Sequence, residues 1–214
     1  MSTSSLEEIK RVKLVAIIRS HSLEGLENTA RSLYHGGIRA IEITMNTPGA
    51  LRGIERIKET YPELLIGAGT VLDSETARLA IMSGASFILT PTLKKETIET
   101  ANRYNLPIIP GVMTPTEVLT AYEYGAQMVK IFPIRQLGPK YLTDLGGPLP
   151  FVETMAVGGI SLENAGLFLK AGASALGIGS SLVDEKLVKQ CDFEEIERRA
   201  ASFVEIVNKV KSQN

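Results

Sequence analysis

The sequence predicts an α/β protein built as a single (β/α)8 barrel across residues 1–214, and three observations carry that prediction. Eight short apolar runs recur at fairly even intervals along the chain. The runs are continuous rather than alternating, as parallel strands must be when helices cover one face and packed side chains the other. Between them lie amphipathic segments about long enough for one helix each. A doubly wound open sheet shares this alternation and is the competing architecture.

In order, the strands are LVAIIR (14–19), AIEIT (40–44), LLIGAGT (64–70), FILTP (87–91), PIIPGV (107–112), MVKIF (128–132), FVETMAV (151–157) and SALGIG (174–179). Helix starts set the phase between them. In Thr114-Pro115-Thr116-Glu117 the threonine caps, proline takes the first helical position and glutamate stands where a capping box wants it. Thr47-Pro48 and Asp73 mark further starts. Several helices end in small-residue pairs, GGIRA (36–40), SGASF (83–87), YGAQM (124–128) and AGASA (171–175), where glycine suits a left-handed closing turn. That pattern is architectural. LGPKYLTDLGGPLP (137–150) is the longest irregular stretch and has room for a short helix. The C-terminal run 192–214 reads as an amphipathic helix that packs on the barrel or on a neighbouring subunit.

Composition narrows the partners. The net charge is −1 and no long basic cluster occurs, so nothing recruits nucleic acid or an anionic membrane, leaving small polar or anionic metabolites. Cys191 is the only cysteine, which excludes an intrachain disulfide and any cysteine metal cluster. The start MSTSSLEEIKRVK lacks the apolar core of a signal peptide, and no apolar run approaches the roughly 18 residues of a membrane span. A cytoplasmic protein is expected. His21 and His35 are scattered surface residues rather than metal ligands, and no metal-ligand spacing, serine or cysteine nucleophile motif, or dinucleotide fingerprint is present.

Two charges interrupt the strands. Lys130 is the only charge in AQMVKIFP and lies near the C-terminal end of its strand, the end where barrels collect their chemistry. An amine sheltered there is a competent nucleophile toward carbonyls, which points to a Schiff base. Glu42 is likewise the only ionisable group of AIEIT, two residues from the strand end, and suits proton transfer in the same mouth. A structural salt bridge between the two is the plainer alternative. Arg19 ends the first strand, where its planar fork suits a carboxylate or phosphate, and Thr70 closes Gly67-Ala68-Gly69-Thr70, where glycines let a ligand approach the backbone. The last two strands run into VGGIS (157–161) and GIGSS (177–181), placed where barrels cradle phosphate on backbone amides. Phe132 is a pocket-wall candidate, and Met113 is assigned to core packing.

The motifs VAIIR, IEITMNTPGA, GAGTVLD, FILTP, IIPGVMTPTE, VKIFP, VGGIS and GIGSSL, in this order and over roughly residues 10–185, resemble those of the class I 2-keto-3-deoxy-6-phosphogluconate (KDPG) aldolases, also called 4-hydroxy-2-oxoglutarate (KHG) aldolases. The resemblance implies a homotrimeric TIM barrel. It further implies cleavage of a phosphorylated 2-keto-3-deoxy sugar acid to pyruvate and glyceraldehyde 3-phosphate, and of 4-hydroxy-2-oxoglutarate to pyruvate and glyoxylate, through a covalent imine without a metal or other cofactor. By the same resemblance Lys130 is the Schiff-base lysine and Glu42 the acid/base residue. Thr70, Thr90 and Pro91 hold the pyruvyl part, Phe132 is its wall, and Gly158, Gly159, Gly179, Ser180 and Ser181 form the phosphate cradle. Two positions depart from the KDPG pattern: Asn46 replaces an arginine, which moves anion binding toward Arg19, and Val157 replaces a threonine that would meet a sugar hydroxyl. Both departures are similar to the 2-keto-3-deoxy-6-phosphogalactonate (KDPGal) branch, so the epimer stays open. Two rivals differ in kind: a metal-free sugar-phosphate isomerase, and a phosphosugar-binding barrel without activity.

Overall fold

The computed structural model describes residues 4–213. The apolar runs become β1 (Leu14–Ile18), β2 (Ala40–Thr44), β3 (Leu65–Gly69), β4 (Phe87–Leu89), β5 (Ile108–Ile109), β6 (Gly111–Val112), β7 (Met128–Ile131), β8 (Glu153–Val157) and β9 (Ala175–Ile178). Every ladder is parallel, and the order is β5-β4-β3-β2-β1-β9-β8-β7-β6. The two edges of that sheet are consecutive in sequence. β5 and β6 are one strand interrupted at Pro110, so the chain itself closes the barrel. The expected single run 107–112 is therefore two segments. Proline has no N–H to give a ladder, yet the Pro110 carbonyl still accepts from the Lys130 amide at 2.8 Å. On the other side Gly111 N donates to Thr90 Oγ1 at 3.3 Å.

The helices are α1 (Ser5–Val12), α2 (Leu23–His35), α3 (Ala50–Thr60), α4 (Ser74–Met82), α5 (Lys95–Arg103), α6 (Pro115–Glu123), α7 (Lys140–Gly146), α8 (Ala165–Lys170), α9 (Glu185–Lys189) and α10 (Phe193–Lys211). Asp73 caps α4 by accepting from Thr76 N at 2.7 Å, and Thr114 with Glu117 forms the full capping box of α6. Thr47-Pro48 does not open a helix. That segment is a turn, and α3 begins after Gly49, whose φ of 73° fits the sharp re-entry. The glycines predicted to close helices do so with positive φ: Gly37, Gly84, Gly125 and Gly172. The irregular stretch 137–150 holds α7. Met113 is not a core residue: it follows β6 into solvent with 38% exposure, and its carbonyl accepts from Tyr141 Oη at 2.6 Å.

Side chains alternate across each strand, which divides the apolar residues into two layers. Outward residues such as Ile18, Ile41, Ile43, Val129 and Ala156 pack under the helices. Inward ones, among them Val15, Ile17, Phe87, Leu89, Met128 and Met155, fill the barrel together with Leu6 and Ile9 of α1. Helix α1 is thus a stopper for the N-terminal end. Ser4 caps it by accepting from Glu7 N at 3.2 Å, and Lys10 reaches Glu153 of β8 at 3.0 Å. Among the described residues no helix is long and apolar enough to cross a membrane.

Ile9 is fully buried between α1 and the strands. Its truncation in Ile9→Ala should cost about 2–5 kcal/mol through lost transfer energy and the cavity left behind. Urea denaturation reads this directly, and an unchanged midpoint would show that α1 does not brace the barrel.

Candidate active site

The two-residue period that builds the inner layer also delivers the polar groups of the mouth. On β2, Ala40 faces inward, so Glu42 does too. On β7 the inward series is Met128, Lys130 and then Phe132; on β1 it is Val15, Ile17 and then Arg19; on β8 it is Met155, Val157 and then Gly159. Each series begins in the apolar plug and ends at the C-terminal face of the barrel.

Glu42 is 1% exposed and Lys130 is 5% exposed. Room for the carboxylate comes from β3. A Cβ at Gly69 would overlap the Glu42 carboxyl, and one at Gly67 would overlap the Phe87 ring. Burial pushes the Glu42 pKa above its ordinary value, opposed by the positive charges of Lys130 and, less strongly, Arg19. Its Oε2 has no hydrogen-bond partner among the described residues. Lys130 Nζ lies over the Phe132 ring, 4.8 Å from its centroid and within cation–π range. Among the described residues no carboxylate oxygen lies within 4.0 Å of that nitrogen, so the simple Lys130–Glu42 salt bridge is not formed.

Thr70 follows β3 with φ 55°, a left-handed conformation that is unusual for a β-branched residue and costs about 1–3 kcal/mol. Thr90 is buried, and its hydroxyl is already engaged: it donates to the Thr92 carbonyl and accepts from Gly111 N, splicing β4 to the broken fifth strand. Pro91 stands beside it, its backbone pressed against Gly111. Asn46 lies exposed in the turn after β2.

Beside the buried pair opens a cavity of about 550 Å³. Of the residues singled out in the sequence, Arg19, Phe132, Val157, Gly158, Gly159, Gly179, Ser180 and Ser181 line it; Lys130, Glu42, Asn46, Thr70, Thr90 and Pro91 lie outside its lining. Gly158 and Gly159 have φ of 102° and 78°, which turns the loop after β8 back on itself. Ser181 Oγ donates to the Ile160 carbonyl at 2.6 Å and joins the two glycine loops. Asn164 braces the first of them, accepting from Ser161 N at 2.8 Å and donating to Gly159 O at 2.9 Å. The amides of Gly159, Ser180 and Ser181 have no acceptor among the described residues, leaving donors for an anion.

Sequence reasoning missed Asn164, Asp184 and Arg135. Arg135 follows β7 on a single 3-10 turn (Ile134–Gln136) and also lines the cavity; its only signal was a cation three residues beyond Phe132. A larger cleft of about 660 Å³ lies at the opposite end of the barrel, around Ser4, Asn102, Asn105, Pro107 and Gln127. It has no ionisable side chain in its walls and offers nothing for proton transfer. Among the described residues no three His, Cys, Asp or Glu side chains converge.

These features define a parallel α/β barrel with a buried lysine, a buried carboxyl group and an amide-lined cavity at one mouth. The chain belongs to the KDPG and KHG aldolase family, whose model, described as "KDPG and KHG aldolase", matches residues 6–199. The 2-dehydro-3-deoxy-phosphogluconate aldolase of Pseudomonas aeruginosa is 35% identical over 177 residues, 82% of this chain and 80% of that protein. The 2-dehydro-3-deoxy-6-phosphogalactonate aldolase of Escherichia coli is 36% identical over 174 residues, 80% of this chain and 85% of that protein. A solved KDPG aldolase from Legionella pneumophila, with pyruvate captured as a covalent carbinolamine intermediate, superimposes with a TM-score of 0.82 at 28% identity, covering 89% of this chain and 93% of that one.

The raised pKa of Glu42 carries a pH signature. The folded chain holds that proton more tightly than the unfolded one, so ionisation weakens the fold as pH climbs from the ordinary value of 4.5 through the raised one. Glu42→Gln should therefore be more stable than the parent at pH 8, with the gap closing as pH falls below 4.5. Parallel stability curves in urea would remove the burial penalty from the account.

Proposed function

We propose that the protein is a class I aldolase in which Lys130 forms an imine with the keto carbon of a phosphorylated 2-keto-3-deoxy sugar acid. One observation carries the reading: Lys130 and Glu42 are both buried in the same barrel mouth, without a direct salt bridge, beside an amide-lined cavity. The Legionella relative that holds pyruvate as a carbinolamine supports it.

In this mechanism the Lys130 amine adds to C2, and loss of water leaves a protonated imine. Glu42, through a water molecule, takes the proton of the C4 hydroxyl. The C3–C4 bond then breaks, its electron pair moving into the imine to give an enamine while glyceraldehyde 3-phosphate departs. The enamine gains a proton at C3 by way of Glu42, and water hydrolyses the imine to release pyruvate and free Lys130. No step calls for a metal or a cofactor. Thr70 and the buried Thr90-Pro91 corner hold the pyruvyl part, with Phe132 as its wall; Arg19, with Asn46 in the exposed turn after β2, receives an anionic group of the substrate; the loops of Gly158, Gly159, Gly179, Ser180 and Ser181 receive the phosphate. Residues 1–214 act as one domain, in the cytoplasm, a setting that suits the lone exposed thiol of Cys191.

The gluconate-configured substrate and its galactonate epimer are both within reach of this machinery, and Val157 favours the second. It is 3% exposed and presents methyl groups, not a hydroxyl, to the cavity. Comparing kcat/KM for the two epimers decides between them, and 4-hydroxy-2-oxoglutarate serves as the unphosphorylated comparison.

The active particle is proposed to be a homotrimer. Leu79 and Met82 on α4 are 55% and 71% exposed, and Tyr122 of α6 packs on Phe151, half exposed, with ring centroids 4.9 Å apart. Such apolar area is characteristic of subunit contacts. Sedimentation should give a particle of three chains, and Met82→Glu should shift it toward smaller species; a parent that sediments as a monomer would refute the assembly.

Incubation with pyruvate and borohydride should add a single adduct, mapped to Lys130, and Lys130→Ala should abolish both adduct and cleavage. Glu42→Gln should retain the adduct while turnover falls by about 10²–10⁴-fold. Product formation with no adduct would turn the reading toward the isomerase.

A further inference from the structure

We infer that Arg135 is a second anion-binding group of the cavity, one that grips the substrate phosphate and sets the preference for phosphorylated over unphosphorylated keto acids. The inference rests on the aldolase reading above and extends it to a residue outside the glycine loops.

Three observations place Arg135 in this role. Its 3-10 turn is anchored by Ile134, which is fully buried and whose carbonyl accepts from Leu137 N at 3.0 Å and Gly138 N at 3.1 Å. The arginine thus projects from a fixed point rather than a loose loop. Its stem lies along the first glycine loop: a Cβ built on Gly159 would come 2.6 Å from Arg135 Nε and 2.9 Å from its Cβ and Cγ. The absence of a side chain at Gly159 therefore serves two ends, the turn at φ 78° and the space the arginine occupies. Finally, the guanidinium has no hydrogen-bond or carboxylate partner among the described residues, while the one carboxylate of the cavity wall, Asp184, caps α9 through Lys186 N at 2.9 Å.

Two guanidinium groups share the cavity, and their positions separate their tasks. Arg19 ends the inward series of β1, whose Ile17 is the ladder partner of Glu42, whereas the stem of Arg135 lies along the glycine loop at Gly159. Arg19 is thereby assigned to the end of the substrate that reacts, and Arg135 to the end that the amides of Gly159, Ser180 and Ser181 address. A phosphate dianion there meets neutral N–H donors from the loops and a planar, always-charged fork from Arg135. The unphosphorylated 4-hydroxy-2-oxoglutarate ends instead in a singly charged carboxylate on a shorter chain, and so offers the same fork less charge and less reach.

The test compares the parent with Arg135→Gln and Arg135→Lys. For each, kcat/KM is measured by pyruvate release from a phosphorylated 2-keto-3-deoxy sugar acid and from 4-hydroxy-2-oxoglutarate, and inorganic phosphate is titrated by calorimetry. In Arg135→Gln the ratio of the two kcat/KM values should fall by roughly 10- to 100-fold, mostly through KM, with a matching loss of phosphate affinity. Lysine, a point charge, should restore part of both. An unchanged ratio with unchanged phosphate affinity overturns the inference. Trapping of pyruvate by borohydride needs no phosphate and should proceed in all three proteins. If the parent itself forms no adduct, the aldolase reading fails on its own, and phosphate affinity alone judges Arg135: weaker binding in Arg135→Gln upholds it, equal binding overturns it.

Discussion

Leu6 and Ile9 close one end of the barrel with hydrocarbon, and that closure governs what every inward side chain can do. Below the level of Glu42 the interior is a packed apolar plug; above it, the barrel opens at its C-terminal mouth. A charge placed on an inward position of a strand is then either trapped or poised at that opening. Glu42 and Lys130 stand at this boundary, nearly buried and still adjacent to a cavity. Burial of a carboxyl group with an unpartnered oxygen is a standing cost to the fold, and the apolar layers beneath and around it offset that cost.

Space is allotted as strictly as charge. Glycine on β3 makes room first for the Phe87 ring and then for the Glu42 carboxyl, while Gly177 on β9 leaves room for Val157. These are glycines chosen for what lies across from them. The same logic reappears in the loop after β8, where Gly159 yields its volume to Arg135. The barrel's interior is therefore a set of matched absences and protrusions, in which Glu42, Phe87 and Val157 each lie against a residue that lacks a side chain.

Much of this was legible in the sequence because period two and continuous apolar character are both readable in LVAIIR, AIEIT and MVKIF. An isolated charge within such a run announces itself. The interruption of the fifth strand was written in PIIPGV, since proline cannot donate to a ladder, but the run looks unbroken to a hydrophobicity count. Helix α1 was harder: Ser4 and Glu7 carry a capping signature, yet the short segment shows only two core-facing residues, Leu6 and Ile9. The resemblance singled out Thr90 for the pyruvyl pocket, while its hydroxyl's bond to the Gly111 amide just past Pro110 depends on contacts between strands far apart in sequence. Arg135 was invisible for the same reason. Its partner surface, Gly159, lies in another loop, and no local pattern couples the two.

The last helix has a consequence for how this protein can be handled. α10 runs back down the outside of the barrel until Lys211 donates to the Arg11 carbonyl at the end of α1. Both described ends therefore emerge on the floor, across the molecule from the cavity. Anything tethered through either one, whether a tag, a second enzyme or a solid support, would hang beneath the barrel and leave the doorway for substrate clear.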